Sequence, residues 1–158
     1  MGMQYDVKSR HRSTSGVAYG SRTRLKGAII SANAAAAARN VLFLENDPLA
    51  GTYSITTTTL TVTVANSLVA GDRVFLDFTS GTAVDGAYTV LTANATSFTV
   101  TTAASGTGNV TAYLNVLMEA DTYNSTAFSV LVPGEGILAE TGIYVGLPTS
   151  VTATVFYG

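Results

Sequence analysis

His11 is the only histidine in the 158 residues, and the chain has no cysteine, so any site built on imidazole must use that one position. A Ser-His-Asp arrangement would need His11 held rigidly between a nucleophile and a carboxylate. The residues around it (Lys8, Arg10, Arg12) are cations instead. Asp72 with Asp77, and Asp85 with Glu119, are pairs that could share acid and base work. Their positions at strand starts, strand faces and turns point to structural roles. Glu45-Asn46-Asp47 offers oxygen ligands but lacks the spaced acidic loop of a calcium site, so it reads as a turn. Gly106 and Gly108 are not followed by the Lys-Ser or Lys-Thr of a phosphate loop. Three Asn-x-Thr triplets start at Asn94, Asn109 and Asn124, and a Thr-rich chain produces such triplets by composition alone. No catalytic residue, metal site or cofactor is expected.

Basic residues carry more information. Lys8, Arg10, Arg12, Arg22, Arg24 and Lys26 lie close together, and residues 1–39 hold seven cations against Asp6, a net of +6. The rest of the chain sets Arg73 against nine acids, a net of −8. In an extended chain Lys8, Arg10 and Arg12 share one side, as do Arg22, Arg24 and Lys26. Such a set can contact phosphates. It can equally lie on an acidic protein surface. Aromatic interleaving of the kind single-strand platforms use is thin, with Tyr5 and Tyr19 alone, so nucleic-acid contact is the weaker expectation. Residues 1–24 are therefore read as a basic N-terminal arm, extended or disordered until a neighbouring subunit orders it, against the plainer reading of a frayed, solvated tail.

Beyond the arm, β-strand patterns dominate. Charged residues are only 11% of the chain, against about 25% in an average domain, and apolar residues are 47%. Arg73 to Phe78 alternates, with Val74, Leu76 and Phe78 on one face and Arg73, Phe75 and Asp77 on the other. Asp85-Gly86 suits a turn into the next strand, Tyr88 to Leu91, and Asn94 suits another before Ser97 to Thr102. Ser54 to Val64 is almost entirely Thr, Leu and Val, which favours strand over helix. Leu25 to Ser31 is expected as the first body strand, with Leu25 and Ile29 directed inward. Asn33 to Ala38 is too short for a free helix and is expected as a loop or single turn. In the last strand Val151, Ala153, Val155 and Tyr157 alternate with Thr152, Thr154 and Phe156. Pro48, Pro133 and Pro148 all fall between strands.

These patterns predict an all-β chain, a jelly-roll-like sandwich formed by residues 25–55 and 114–158, with a small β-module inserted at 56–113. There is no run of about 18 apolar residues to span a membrane and no signal-peptide pattern after Met1. Tyr88, Tyr113 and Phe75 are the aromatics that could form an exposed binding cluster.

The run Leu131-Val-Pro-Gly-Glu-Gly-Ile-Leu-Ala-Glu-Thr-Gly-Ile-Tyr-Val-Gly-Leu147, closing with Ser150-Val-Thr-Ala-Thr-Val-Phe-Tyr-Gly158, resembles small β-rich virion proteins of tailed bacteriophages, notably marine phages and cyanophages. Lys26-Gly-Ala-Ile-Ile and Val41-Leu-Phe-Leu match the front of the same pattern, and Gly-Asp-Arg-Val-Phe-Leu-Asp-Phe-Thr-Ser-Gly (residues 71–81) resembles segments repeated in phage structural proteins. The resemblance implies a capsid decoration or cement protein, a homotrimer on the virion surface that binds the major capsid protein and is made in the host cytoplasm. A tail or neck component and a glycan-binding adhesin module are the alternatives.

Overall fold

The computed structural model describes residues 6–32, 39–103, 105–122 and 126–158. The Asn33 to Ala38 segment, Tyr5, and Asn124 and Ser125 of the third triplet lie outside the described residues. The chain is all-β: the described residues contain sixteen strands and no helix. In order these are β1 (Lys8–Arg12), β2 (Gly16–Tyr19), β3 (Thr23–Ala32), β4 (Arg39–Leu44), β5 (Leu49–Thr56), β6 (Thr59–Thr63), β7 (Arg73–Phe78) and β8 (Gly86–Thr89). There follow β9 (Thr92–Asn94), β10 (Ser97–Thr101), β11 (Gly106–Tyr113), β12 (Val116–Thr122), β13 (Ala127–Leu131), β14 (Ile137–Ala139), β15 (Ile143–Gly146) and β16 (Val151–Tyr157).

They divide into two compact units, Met1–Asp47 with Leu117–Gly158, and Pro48–Val116 between them. The insertion is wider than the 56–113 expected from composition. The reason is β5, which pairs with both β6 and β11 and so belongs to the inserted sheet.

In the discontinuous unit, a sheet ordered β1-β16-β3-β13, with β14 also on β3, shares one core with a sheet ordered β12-β4-β15-β2. Alternation decides what each strand buries. Val151, Ala153, Val155 and Tyr157 of β16 are all buried, as their spacing predicts, together with Val41 and Phe43 of β4 and Ile143 and Val145 of β15. β3 departs from its expected phase. Leu25 is buried, but Ile29 is 43% exposed and Ala28 and Ile30 take the inward positions. The register against β16 slips between Phe156 and Tyr157, which reverses the facing direction along β3. The slip centres on Gly27, where a side chain would strike the Val130 carbonyl. The sequence pattern holds on each side of that bulge and fails across it.

Residues 8–12 and 16–19 correct the expected arm. β1 is hydrogen-bonded along β16, and β2 along β15. Both are strands of the body, because their backbone groups find ladder partners within the same chain.

The inserted unit is one seven-stranded antiparallel sheet ordered β8-β7-β11-β5-β6-β10-β9. It curls around its own core of Leu60, Val62, Val74, Leu76, Phe98, Val100 and Val110. Past β8 the Leu91 N–H donates to Thr99 O at 2.8 Å, bringing the two ends of the sheet towards closure. Its turns are held by side chains the sequence singled out. Asn94 Oδ1 accepts from the N–H groups of Thr96 and Ser97, both at 2.9 Å, and Asp85 Oδ1 accepts from Phe78 N–H at 2.7 Å.

Candidate functional site: a cleft of mixed charge

A cleft of about 420 Å³ opens at one end of the discontinuous unit, lined by Asp6, Lys8, Tyr19, Arg22, Thr23, Arg24, Leu138, Tyr157 and Gly158. Strand register explains why these residues meet. Lys8 of β1 sits opposite Tyr157 of β16, whose other neighbour is Leu25 of β3. One residue earlier on β3, Arg24 sits opposite Leu138 of β14. Arg24 and Gly158 exchange backbone hydrogen bonds, each 3.2 Å, and so continue the ladder beyond the bulge. From the second sheet Tyr19 stacks on Tyr157, with ring centroids 4.9 Å apart and planes 28° apart. The cleft thus pairs an aromatic and aliphatic wall with three cations and one carboxylate.

The six predicted binding cations do not form one free surface. Arg12 donates from Nε to Thr14 O (3.3 Å) and from Nη2 to Ser15 O (3.0 Å), and its guanidinium fills the space a side chain at Gly16 would need. It holds the β1–β2 turn. Arg24 reaches the Gly136 carbonyl from Nη1 at 3.3 Å and the Glu135 carboxylate from Nη2 at 3.4 Å. Lys26 Nζ donates to Glu135 O at 2.7 Å, so both cations hold the 133–136 turn. Arg22 pairs with Glu140 at 2.6 Å, with both side chains more than half exposed. Such a pair contributes about 0–1 kcal/mol. Among the described residues, the side chains of Lys8 and Arg10 have no hydrogen-bond or ion-pair partner. The basic strands therefore meet acidic turns of their own chain, and what they leave over is concentrated on β1.

Other candidates resolve into structural roles. His11 Nδ1 lies 3.1 Å from the Thr154 hydroxyl, a neighbour across the β1–β16 ladder rather than a carboxylate. Glu45 Oε1 accepts from the N–H groups of Glu140 (2.5 Å) and Thr141 (3.3 Å), while the Thr141 hydroxyl donates to Glu45 O at 2.9 Å, so the 45–47 turn fastens the 140–141 turn. Asp72 Oδ2 accepts from Val69 N–H at 2.8 Å and closes its own turn. Burial pushes the Asp77 carboxyl above its usual range, and the negative charge of Asp85 adds to that. Gly108 stands where the Ser80 carbonyl leaves no room for a side chain. Among the described residues no three His, Asp or Glu side chains gather to hold a metal, and no helix is long and apolar enough to cross a membrane.

The three predicted aromatics separate. Phe75 and Tyr113 sit directly opposite one another on β7 and β11, on the face away from buried Val74 and Leu76. Tyr88 pairs with Val74 on the other face, where its ring meets Phe78 edge-on at 6.2 Å and its hydroxyl donates to Val84 O at 2.5 Å.

Sequence reasoning found the cations of the cleft but missed its wall. The inward phase of Tyr157 was visible in the alternation of β16. Tyr19, Leu138 and the acidic turns reach the site only through pairings between distant strands. Compared with protein families, curated proteins and solved structures, the chain matches none.

Proposed function

We propose that the chain is a structural protein of a tailed-phage virion, a capsid decoration or cement protein that associates with itself as a homotrimer and binds the major capsid protein. The observation that carries this reading is the outer face of the β1-β16-β3-β13 sheet. Beyond the Gly27 bulge the outward positions of β3, β16 and the edge strand β13 are Ile29 and Ser31, Thr152, Thr154 and Phe156, and Ser129 and Leu131, with no charge among them. Ile29 is 43% and Leu131 79% exposed. A neutral face that exposes large aliphatic groups suits contact with another protein, since burying it strands no charge. The low charge of the whole chain and the resemblance of its C-terminal run to small virion proteins support the same reading.

Magnitude limits what this face does alone. Four strands of about five residues span roughly 300 Å², and a standard interface removes about 800 Å² from each partner. Stable attachment therefore needs further contacts, which the cleft end of the same unit supplies. Its charges would fix register and encounter rate more than affinity.

The test is the native mass of the purified chain by light scattering, with co-sedimentation on expanded heads of a phage that carries it. A trimer that sediments with heads is expected, and Ile29→Lys combined with Leu131→Lys is expected to abolish that sedimentation. A monomer that stays in the supernatant overturns the reading. The glycan-binding alternative draws on the Phe75 and Tyr113 pair, and loss of host attachment in a Phe75→Ala variant that still assembles would favour it.

A further inference from the structure

We propose that the cleft where β1, β3, β14 and β16 meet is a receptor for an acidic peptide segment, one whose carboxylate is taken by Lys8 and Arg24 while a neighbouring apolar side chain packs against Tyr19, Tyr157 and Leu138. The proposal rests on the assembly reading only for the identity of the partner protein, and the site itself stands on four observations.

First, a space of about 420 Å³ admits one or two side chains rather than a folded element. Second, the chain already shows what the rim accepts: Arg22 holds the Glu140 carboxylate at 2.6 Å and Arg24 the Glu135 carboxylate at 3.4 Å. Both carboxylates are highly exposed, so an incoming acid can share or replace them at little cost. Third, Lys8 lines the space and its side chain has no partner among the described residues. A lysine on a strand, next to an aromatic wall, gives a point charge above an apolar surface. Fourth, that wall is already ordered, because Tyr157 is buried to 8% exposure and Tyr19 is stacked on it. Little side-chain entropy remains to be lost when a ligand packs there.

Charge balance selects a peptide over a nucleic acid. Lys8, Arg22 and Arg24 are matched by Asp6, Glu135 and Glu140 in or beside the cleft, so the local net charge is zero. Binding a polyanion depends on an excess of cations that releases counterions along its length. A single carboxylate needs only the short contact with Lys8 and Arg24. The wall then favours a residue pair such as Glu-Leu over bare phosphate, which would leave Tyr19, Tyr157 and Leu138 unused.

The experiment titrates the full chain with a fluorescently labelled, end-capped peptide of alternating Leu and Glu, and in parallel with its Gln counterpart, inorganic phosphate and single-stranded DNA. Expected results are binding of the Glu peptide that weakens with added salt, at least about tenfold weaker binding of the Gln peptide, and about threefold loss in Lys8→Ala. Tyr19 and Tyr157 ring resonances should shift with the Glu peptide. Lys8 is exposed, so Lys8→Ala leaves the fold intact, which an unchanged melting curve checks. Equal binding of the Glu and Gln peptides overturns the proposal, as does an unaltered affinity in Lys8→Ala. Phosphate or DNA competing as well as the peptide also overturns it, by making the cleft a general anion site. Loss of peptide binding in a protein that still sediments with phage heads would sink this inference alone.

Discussion

The two units solve the same problem, covering a small apolar core with antiparallel strands, by opposite use of the chain. Pro48–Val116 pairs strands that are near in sequence, and its longest closure brings Ala112 to Leu49. The surrounding unit is closed by its ends, with Lys8 opposite Tyr157. That separation is a little more than twice as long, and chain statistics make it only about 0.8 kcal/mol more costly. Leu49 pairs with Ala112, so the insertion enters and leaves at neighbouring positions and, once folded, acts on its host as a short link. A large insertion is thus compatible with stability, while the host depends on strands that return last. The candidate binding end lies in the unit closed in this way, since β1, β3, β14 and β16 meet at the cleft.

The sharpest way to break this comparison is to remove residues 1–24. Loss of β1 and β2 takes Ala18 from the core and leaves β16 and β15 without a partner on one side. The discontinuous unit is expected to lose its cooperative transition while Pro48–Val116 keeps its own, as amide spectra and calorimetry would show. Retention of both transitions would return residues 1–24 to the status of a dispensable arm. Next in size, Phe43→Ala and Phe98→Ala remove fully buried rings from the two cores, and each should cost about 3–5 kcal/mol in its own unit with little effect on the other. A shared loss in either variant would mean that the units unfold as one.

Smaller effects sharpen the contrast in electrostatics. Arg22→Gln in the discontinuous unit breaks an exposed pair and should cost under about 1 kcal/mol, an amount that shrinks with salt in chemical denaturation. Asp77→Asn in the inserted unit should do the reverse. Its folded carboxyl titrates above the ordinary 3.8, so between that value and the raised one the folded state holds the proton more tightly than the unfolded chain. Stability therefore falls as pH rises through that window, and the deficit persists above it. Asn should raise the melting temperature slightly at neutral pH and flatten this segment of the stability profile. An Asp77→Asn protein less stable at neutral pH would show that the carboxylate is held by favourable partners instead.

Much of the architecture was legible one residue at a time. Asn94 marked a turn because its side chain caps backbone N–H groups two and three residues on, and Asp85 because its side chain closes the loop back to Phe78 N–H, seven residues before it. The turn at Thr57 was not legible, since Thr57 takes φ 59° without the Gly or Asn that usually announces it. The break at Asn115, with φ 52°, likewise separates β11 from β12 without a Gly or Pro to announce it.

For the site, sequence alone determined the chemistry of the parts: a cluster of cations early in the chain, a surplus of acids later, and an all-β framework whose alternation assigns most side chains to a face. Those properties follow from residue type and a period of two, which are local. Only the tertiary structure decided that Arg12, Arg22, Arg24 and Lys26 would be engaged within their own chain, that Ile29 would face outward across the Gly27 bulge, and that Lys8 would stand beside Tyr157 at an open cleft. Register between strands distant in sequence is set by the summed burial of whole faces and by where one extra residue shifts a ladder, and no single stretch of sequence contains that sum.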